Sequence, residues 1–266
     1  MRYCSHFWLR IRMVWIMMKE LKQYLSYLVK WIKAEVTKSK CEGVIVGLSG
    51  GIDSAVVSLL AKQAFPNHHL AVIMPCHSDY FDQECAQLLI NNHQLNYHLV
   101  DLTATYDNLI ATLALPPHQL AFANIKPRLR MTTLYALAQS HNYMVLGTDN
   151  ADEWHVGYFT KYGDGAADLV PIIHLLKSEV QQAAQLLGVP SQIISRPPTA
   201  GLWTNQTDEK ELEFTYQQLD YYLQGKSVPA AIAQRIKQLH QSSEHKRRLP
   251  KGPPNIFSSL ISVSKN

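Results

Sequence analysis

The sequence predicts an α/β fold, a doubly wound parallel sheet with flanking helices, from three observations. Short apolar runs such as residues 44–48 lack polar alternation, which indicates strands buried on both faces. Stretches with apolar residues at helical spacing stand between these runs. The chain has 266 residues, of which 47% are hydrophobic and 17% charged, so it can bury a substantial core. Strands that alternate with helices in this way form parallel sheets.

The predicted elements follow one another in a regular order. Residues 21–36 carry apolar side chains at a helical period and predict the first helix. Strands are predicted at residues 44–48, 70–74, 98–102 and 143–147. Further helices are predicted near residues 53–65, 82–91, 127–139, 177–187, 208–224 and 229–244. Beyond residue 157 the pattern is rich in loops, including a proline-rich loop at residues 196–203.

The first 18 residues have two interpretations. They mix arginines with aromatic residues, and their longest apolar run is too short to span a membrane. They form either a weak amphipathic extension or a stretch ahead of a true translation start at Met17 or Met18. We favour the second, because residue 19 opens an ordinary amphipathic helix. We therefore divide the chain into an N-terminal extension at residues 1–18, one folded domain at residues 19–250 and a C-terminal tail at residues 251–266.

Composition limits the partners and the location that we expect. The net charge of +4, with histidines neutral, suits an anionic small molecule but is too small to indicate nucleic-acid binding. The four cysteines form no CxxC pair and no HExxH string is present, so the sequence does not predict a zinc site. We expect reduced thiols and hence a cytoplasmic protein, with neither nucleic acid nor membrane as partner.

The most informative string is SGGIDS at residues 49–54, which follows the first predicted strand and opens a helix. Ligands of parallel sheets bind beyond the carboxyl ends of the strands. Glycines let the backbone approach phosphate oxygens, and a helix N-terminus offers unpaired N–H groups. A carboxylate beside a triphosphate needs a cation between them, so Asp53 is a natural Mg²⁺ ligand. A plain glycine-rich turn with a helix cap is the alternative, and it does not require so full a string.

The SGGIDS string resembles the signature of the N-type ATP pyrophosphatases rather than the P-loop, because no Gly-Lys-Ser/Thr follows it. That superfamily cleaves ATP between the α- and β-phosphates and leaves an adenylate. Its members include GMP synthetase, asparagine synthetase, tRNA-lysidine synthetase and NAD synthetase. The resemblance implies the adenine nucleotide alpha-hydrolase-like fold, a Rossmann-like form of the predicted class.

Strings in the second half resemble the NAD synthetase family more closely than the others. They are GTDNADE at 147–153, GYFTKYGDG at 157–165, RPPTAGLW at 196–203, QTDE at 206–209 and HKRR at 245–248. The resemblance covers about residues 21–250. It implies the ATP-dependent amidation of deamido-NAD (nicotinic acid adenine dinucleotide) with ammonia, the final step of NAD biosynthesis. An acyl adenylate is the implied intermediate, and AMP and pyrophosphate are the implied by-products.

The same resemblance implies a set of site residues. The implied catalytic residues are Asp53, Asp168 and Lys177. The implied ATP contacts are Gly47, Leu48, Ser49, Gly50, Gly51, Ile52, Asp53, Ser54, Thr148, Lys177 and Thr199. The implied deamido-NAD contacts are Arg128, Lys161, Asp168, His245 and Lys246, and the implied Mg²⁺ ligands are Asp53 and Glu153. Two roles stay open, because Asp168 could accept from a ribose hydroxyl or orient ammonia, and Arg128 could be a solvated residue of a helix's first turn.

The nitrogen source and the assembly are also expectations. Glutamine-using members carry an amidase domain ahead of the synthetase, whereas 43 residues precede the first predicted strand here and hold no Cys-Glu-Lys set. Free ammonia is therefore expected, with ATP and deamido-NAD as the other substrates, and the family implies a homodimer. Two rivals are a tRNA-modifying adenylating enzyme, which should be more basic, and a non-catalytic nucleotide-binding protein, which should lack Asp53, Glu153 or Lys177.

Overall fold

The computed structural model describes residues 3–203 and 206–253, with side chains from residue 18 onward. Its strands are β1 Gly43–Gly47, β2 His69–Ile73, β3 Tyr97–Leu99 and β4 Tyr143–Leu146. They form a parallel sheet in the order β3-β2-β1-β4. The chain adds strands on one side of β1 and then returns to its other side with β4. The order therefore reverses at β1, where ligands of such sheets bind, and the predicted fold class is confirmed.

Helices cover the sheet and build the second half of the chain. They are α1 Tyr3–Lys38, α2 Ile52–Ala64, α3 Tyr80–His93, α4 Thr103–Leu113, α5 Gln119–Ala123, α6 Ile125–His141, α7 Ala151–Val156, α8 Lys177–Leu187, α9 Ser191–Ile194, α10 Asp208–Leu212, α11 Tyr216–Leu223 and α12 Ala230–Ser242, followed by the 3-10 helix Glu244–Lys246. Within the described residues, none of these helices has the length and hydropathy needed to cross a bilayer.

The apolar run of β1 is buried on both faces of the sheet, as its sequence predicts. Val44 and Val46 pack on one side, in the large core formed with α1, α2 and α8. Ile45 packs on the other side, in a smaller core with Val72 and Val145 beneath α6. A third apolar cluster joins α7, α11 and α12 beyond the carboxyl edge of β4.

Two predicted elements are wrong in extent, and the helices α4, α5, α7 and α9 were not predicted. The third strand is predicted at residues 98–102 but ends at Leu99, because the Asp101 carboxylate accepts from Thr103 N at 2.8 Å and starts α4. The single helix predicted near residues 208–224 is two helices. Glu213 has a φ of +71°, which ends α10, and Thr215 then caps α11.

The ends of the chain are only partly described. The helix predicted at residues 21–36 is confirmed as part of α1. The interpretation that residues 1–18 precede the true translation start stays a prediction. The side chains of residues 1–17 lie outside the described part of the structure. Most of the tail predicted at residues 251–266 lies outside it as well.

Candidate active site

The loop that follows β1 is held by its own two serines. Ser54 Oγ accepts from Ser49 N at 3.2 Å and lies 3.0 Å from Ser49 Oγ. Ser49 Oγ accepts from Gly51 N at 3.2 Å, and Ser54 Oγ lies 2.9 Å from Gly51 O. Gly51 is the N-cap of α2 and makes no side-chain cap bond. The first N–H groups of α2 therefore have no side-chain cap where the helix follows the carboxyl end of β1, an arrangement that suits an anion.

Gly50 is required where the loop meets α3. Its φ is +83°, and a Cβ built on it would lie 2.2 Å from Asp82 O. The backbone of α3 therefore packs directly against the loop. Any side chain at this position would push the two apart and open the loop.

A buried lysine joins the two carboxylates that were predicted to hold a metal. Lys177, the first residue of α8, places Nζ 2.6 Å from Asp53 Oδ2 and 3.2 Å from Glu153 Oε1. Asn150 donates to Asp53 Oδ1 at 2.8 Å and accepts from Glu153 N at 3.0 Å, which caps α7. The N-termini of α2, α7 and α8 therefore meet in one cluster, although 124 positions separate Asp53 from Lys177.

The cluster is sheltered from water, and its charges act strongly on one another. Burial raises the pKa of Glu153 to about 7, while the Lys177 ammonium opposes this rise and Asp53 adds to it. Burial alone would lower the pKa of Lys177, but Asp53 and Glu153 raise it above its ordinary value, so the ammonium stays charged. Tyr216 covers the cluster, with its ring 4.9 Å from Lys177 Nζ and its hydroxyl donating to Asp208 Oδ2 at 3.0 Å.

A cavity of about 500 Å³ opens beside the cluster, a size typical of sites for small organic ligands. The predicted ATP contacts that line it are Gly47, Leu48, Ser49, Gly51, Ile52, Asp53, Ser54, Thr148, Lys177 and Thr199. Gly50 lies behind this lining, at the contact with α3. Val72, Met74 and Leu134 add an apolar wall that suits a flat, largely apolar group.

The segment at residues 196–203 closes one side of the cavity and is tied down at both ends. Arg196 forms an ion pair with Asp82, and its guanidinium carbon lies 5.3 Å from the centre of the Phe81 ring. At the other end, Lys126 Nζ donates to Leu202 O at 2.8 Å. Thr199, between these ties, therefore faces the cavity from a held segment.

Comparison with known proteins assigns the family. The family model described as NAD synthase matches residues 24–250 of this chain. The chain belongs to the NAD synthase family. The matched range runs from α1 past the 3-10 helix, so it contains every site residue described above.

Individual NAD synthase relatives match over nearly their full length. An NH(3)-dependent NAD(+) synthetase of Mesoplasma florum is 54% identical over 231 residues, which is 86% of this chain and 95% of the relative. The solved structure of an NMN synthetase from Francisella tularensis has a TM-score of 0.86 and 40% identity, covering 88% of this chain and 99% of that one. An NH3-dependent NAD synthetase structure from Campylobacter jejuni has a TM-score of 0.76 and 26% identity, over 88% and 99%.

Four of the residues predicted to contact deamido-NAD lie together at one side of the cavity. Lys246 lines the cavity, and its Nζ donates to two backbone carbonyls of the segment after α7, each at 2.8 Å. Lys161 Nζ donates to His245 O, and Arg128 donates to Lys161 O at 3.4 Å. Arg128, Lys161 and His245 adjoin the cavity but are not part of its lining. The structure thus brings these four predicted residues into one connected group.

Asp168 is separate from the other predicted catalytic residues. Its Oδ2 accepts from Val145 N at 2.8 Å, and its Oδ1 accepts from Tyr135 OH at 3.2 Å. Burial raises the pKa of Tyr135 to about 12, and the Asp168 charge adds to this rise. Asp168 is exposed and outside the cavity lining. It lies beside the outer face of α6, which carries Tyr135 and Arg128 seven positions apart.

Sequence reasoning missed several polar residues of the site. Asn150 has a readable signal, because an Asn three positions before Glu153 fits a capping box. Asp208 reaches the cluster from α10 and has no local signal of that kind. Asp149 lines the cavity, and burial raises its pKa well above the usual range, with the Asp164 carboxylate adding to the rise. Asp164 also lines the cavity, and its Oδ1 accepts from Thr160 N at 2.9 Å.

Proposed function

We propose that this chain amidates deamido-NAD with ammonia, consuming ATP and releasing AMP and pyrophosphate through an acyl adenylate. The observation that carries the proposal is the cluster of Lys177, Asp53 and Glu153 beside the SGGIDS loop, in a member of the NAD synthase family. A fixed ammonium next to a free helix N-terminus is a site for the phosphates of a nucleotide. The reaction is the final step of NAD biosynthesis.

The first chemical step brings two anions together. The nicotinic acid carboxylate attacks the α-phosphate of ATP, and pyrophosphate leaves with the electrons of the broken P–O bond. Positive charge must therefore be held beside the reacting phosphates. Lys177 supplies a full charge and the N-terminus of α2 supplies oriented N–H groups. The hydroxyls of Ser49, Thr148 and Thr199 line the same cavity and can donate to phosphate oxygens.

Asp53 and Glu153 fit a Mg²⁺ ion, and we propose them as its protein ligands. Their Oδ2 and Oε1 atoms already converge on one cationic group, the Lys177 ammonium. Magnesium in nucleotide sites is commonly held by one or two carboxylates together with substrate phosphates. Bound there, Mg²⁺ would neutralise charge on the phosphates during attack.

The dinucleotide is proposed to lie along Arg128, Lys161, His245 and Lys246. Cationic groups suit its pyrophosphate and its reacting carboxylate. Lys161 stands in a glycine-rich segment, where a covering role is expected. Asp168 is proposed to accept from a ribose hydroxyl rather than to orient ammonia, because it lies on the outer side of this group and not in the cavity lining.

The assembly is proposed to be a homodimer that covers the outer face of α4, α5 and α6. No residue of α4 is fully buried, although Leu109, Ile110 and Leu113 make it apolar. Leu120 on α5 is 56% exposed, and Leu99 on the edge strand β3 is 52% exposed. Exposed large apolar side chains such as these favour burial at a protein interface. A partner there would also cover the surface that holds Arg128 and Asp168.

The cytoplasm is proposed as the location on the evidence of the thiols. Cys41, Cys76 and Cys85 are unpaired, and the last two are buried. Unpaired thiols persist in reducing compartments. Fractionation of the native cells, followed by detection of the protein, tests the proposal, and recovery outside the cytoplasmic fraction would reject it.

A second candidate substrate comes from the likeness to an NMN synthetase. That solved structure is 40% identical to this chain. The acceptor would then be nicotinic acid mononucleotide, which presents the same carboxylate to ATP but lacks the adenylate half. The carboxylate chemistry and the roles proposed for Asp53, Glu153 and Lys177 are the same for both acceptors.

One assay separates these possibilities. Purified protein is given ATP, Mg²⁺ and ammonium with either the dinucleotide or the mononucleotide, and AMP, pyrophosphate and amide are measured. We expect equal amounts of AMP, pyrophosphate and NAD, and little product from glutamine in place of ammonium. ADP and phosphate would reject attack at the α-phosphate. A higher kcat/KM for the mononucleotide would make the second candidate the substrate.

A further inference from the structure

Arg247, the third residue of the HKRR string, has a buried side chain. It is 9% exposed, whereas the neighbouring Arg248 is 59% exposed. Arg247 Nη1 donates to Trp154 O and His155 O, each at 3.1 Å, and Nη2 donates to His240 O. The guanidinium thus bonds backbone carbonyls and, through Nη2, the Glu244 carboxylate at 3.3 Å, and it is not part of the cavity lining.

Those carbonyls belong to the last turns of two helices. Trp154 and His155 stand at the end of α7, and His240 stands at the end of α12. The last four C=O groups of a helix have no partner within it and carry the negative end of its dipole. The guanidinium is a rigid fork of donors, so it can bond both helix ends at once.

The junction has no spare room. Arg247 Nη1 also donates to Ser243 Oγ at 2.8 Å, and that Oγ lies 3.1 Å from Val156 O. Gly157 has a φ of +70°, and a Cβ built on it would lie 2.2 Å from the Cβ of Ser243. The two helix ends are therefore in direct contact at the guanidinium. A shorter side chain at position 247 would take this donor from Trp154 O, whereas His155 O would keep His240 Nδ1 at 2.8 Å and His240 O would keep Ser243 Oγ at 3.3 Å.

Two site residues depend on the position of this junction. Glu153 lies in the first turn of α7, a helix of six residues, so both ends of the helix set its orientation. Asn150 holds the first end and Arg247 holds the second. Lys246 precedes Arg247 in the chain and bonds the carbonyls of Gly157 and Phe159, directly after α7.

We propose that Arg247 is a positioning residue for the amidation reaction. It fixes Glu153 and Lys246 relative to each other by tying the ends of α7 and α12 together, while contacting no substrate itself. The proposal rests on the proposed function, because it assigns Glu153 to the metal and Lys246 to the nicotinate substrate. It predicts that two distant binding events, those of Mg²⁺ and of the dinucleotide, weaken together when one arginine is changed.

The kinetic test compares Arg247→Gln with Arg248→Gln, a matched control that removes the same charge one position away. For Arg247→Gln we expect the KM of the dinucleotide and the Mg²⁺ concentration for half-maximal rate each to rise at least tenfold. For Arg248→Gln we expect both within twofold of wild type. A role in stability alone would lower the melting temperature and the active fraction but would leave both of these constants unchanged.

A second readout does not depend on activity. Amide hydrogen exchange at residues 151–159, followed by mass spectrometry without ligands, should be at least tenfold faster in Arg247→Gln and unchanged in Arg248→Gln. If wild-type protein makes no amide, the proposed function fails and this exchange experiment alone decides the role of Arg247. If Arg247→Gln does not fold, Arg247→Lys is measured in its place, because it keeps the charge but cannot bond both helix ends. A folded Arg247 variant with wild-type constants and wild-type exchange would overturn the proposal.

Discussion

The ammonium of Lys177 lies 2.6 Å from Asp53 Oδ2 and bridges the first turns of α8 and α2. The same ammonium contacts Glu153, so one cation serves two carboxylates that are each 16% exposed. Removing one member of a buried ion pair leaves the other charge uncompensated, which commonly costs about 3–5 kcal/mol. The relationship therefore bears on stability as well as on the catalytic role proposed for Lys177.

Lys177→Met should lower both turnover and stability. We expect turnover to fall by about a thousandfold, because a fixed charge beside the reacting phosphates is removed, and the free energy of unfolding to fall by about 3 kcal/mol. AMP release and urea unfolding measure the two effects. Lys210→Met, which removes an exposed lysine, is the control and should match wild type. Turnover above a tenth of wild type would show that Lys177 does not act on the phosphates.

Asp53→Asn and Glu153→Gln should each leave a folded protein that binds Mg²⁺ more weakly. We expect turnover to fall at least about a hundredfold and half-saturation by Mg²⁺ to move about tenfold higher, because each change removes a carboxylate that we propose as a Mg²⁺ ligand. Mg²⁺ titration of the rate and circular dichroism measure function and folding. Glu84→Gln, on the exposed side of α3, is the control. Near-normal activity in either variant would remove that residue from the metal site.

Breaking the ion pair of Arg196 and Asp82 should raise the KM of ATP rather than the KM of the nicotinate substrate. Arg196→Gln and Asp82→Asn each free one end of the segment that carries Thr199. We expect the KM of ATP to rise about tenfold in each, and the double variant to be no worse than either, because the two residues act through one contact. Steady-state kinetics of the four proteins form the cycle. Effects that multiply in the double variant would mean that the residues act separately.

Asp152→Asn should change how stability depends on pH. Burial and the neighbouring Asp220 raise the pKa of Asp152 to about 8, so the folded protein keeps this proton where the unfolded chain has lost it. Stability from this group is present below the ordinary pKa of aspartate, near 4, and is lost as the pH rises to about 8, by up to about 1.4 kcal/mol per pH unit. The variant should lack that slope.

Urea unfolding between pH 5 and 8 without Mg²⁺ tests the Asp152 prediction. The carboxyl of Asp152 also accepts from Lys177 N at 2.8 Å, a bond that the amide oxygen of Asn can keep. Glu84→Gln again serves as the control for the loss of one carboxyl. Parallel pH profiles for Asp152→Asn and wild type would contradict the assignment.

Gly157→Ala and Gly225→Ala form a matched pair for the helix junction. The φ values at these glycines are +70° and +72°, so alanine at either position costs about 1 kcal/mol of left-handed backbone strain. Only at Gly157 would the new Cβ meet another atom, the Cβ of Ser243 at 2.2 Å, whereas nothing lies within 4 Å at Gly225. In urea unfolding, we expect the free energy of unfolding to fall by about 2 kcal/mol more in Gly157→Ala than in Gly225→Ala. Equal losses would mean that the junction can yield.

Features formed by residues that are adjacent in the chain could be predicted from the sequence. β1, the SGGIDS loop and the start of α2 form one contiguous stretch, so the apolar run, the glycines and the helix period predict the anion site together. The capping pattern from Asn150 to Glu153 was equally local and could have been read. The β3 strand was predicted too long, because its few residues are exposed and the start of α4 follows at once.

Contacts between distant segments could not be predicted from the pattern. No periodicity brings Lys177 to Asp53 or to Tyr216, and only the family resemblance pointed to Lys177. The bonds of Arg247 go to backbone carbonyls, which leave no mark on the residue types at positions 154, 155 and 240. Such acceptors become visible only when the helices are placed in space.

The stretches that line the cavity are far apart in the chain, and they include the loop after β1, the residues after β4, the start of α8 and the segment at residues 196–203. None of these stretches holds a nucleotide site alone, so a nucleotide recognises the folded chain and not its unfolded forms. Its binding energy is then added to the folding equilibrium of the whole protein, at about 1.4 kcal/mol for each tenfold excess of free nucleotide over Kd. Bound nucleotide therefore lowers the fraction of chains that are unfolded and open to proteolysis.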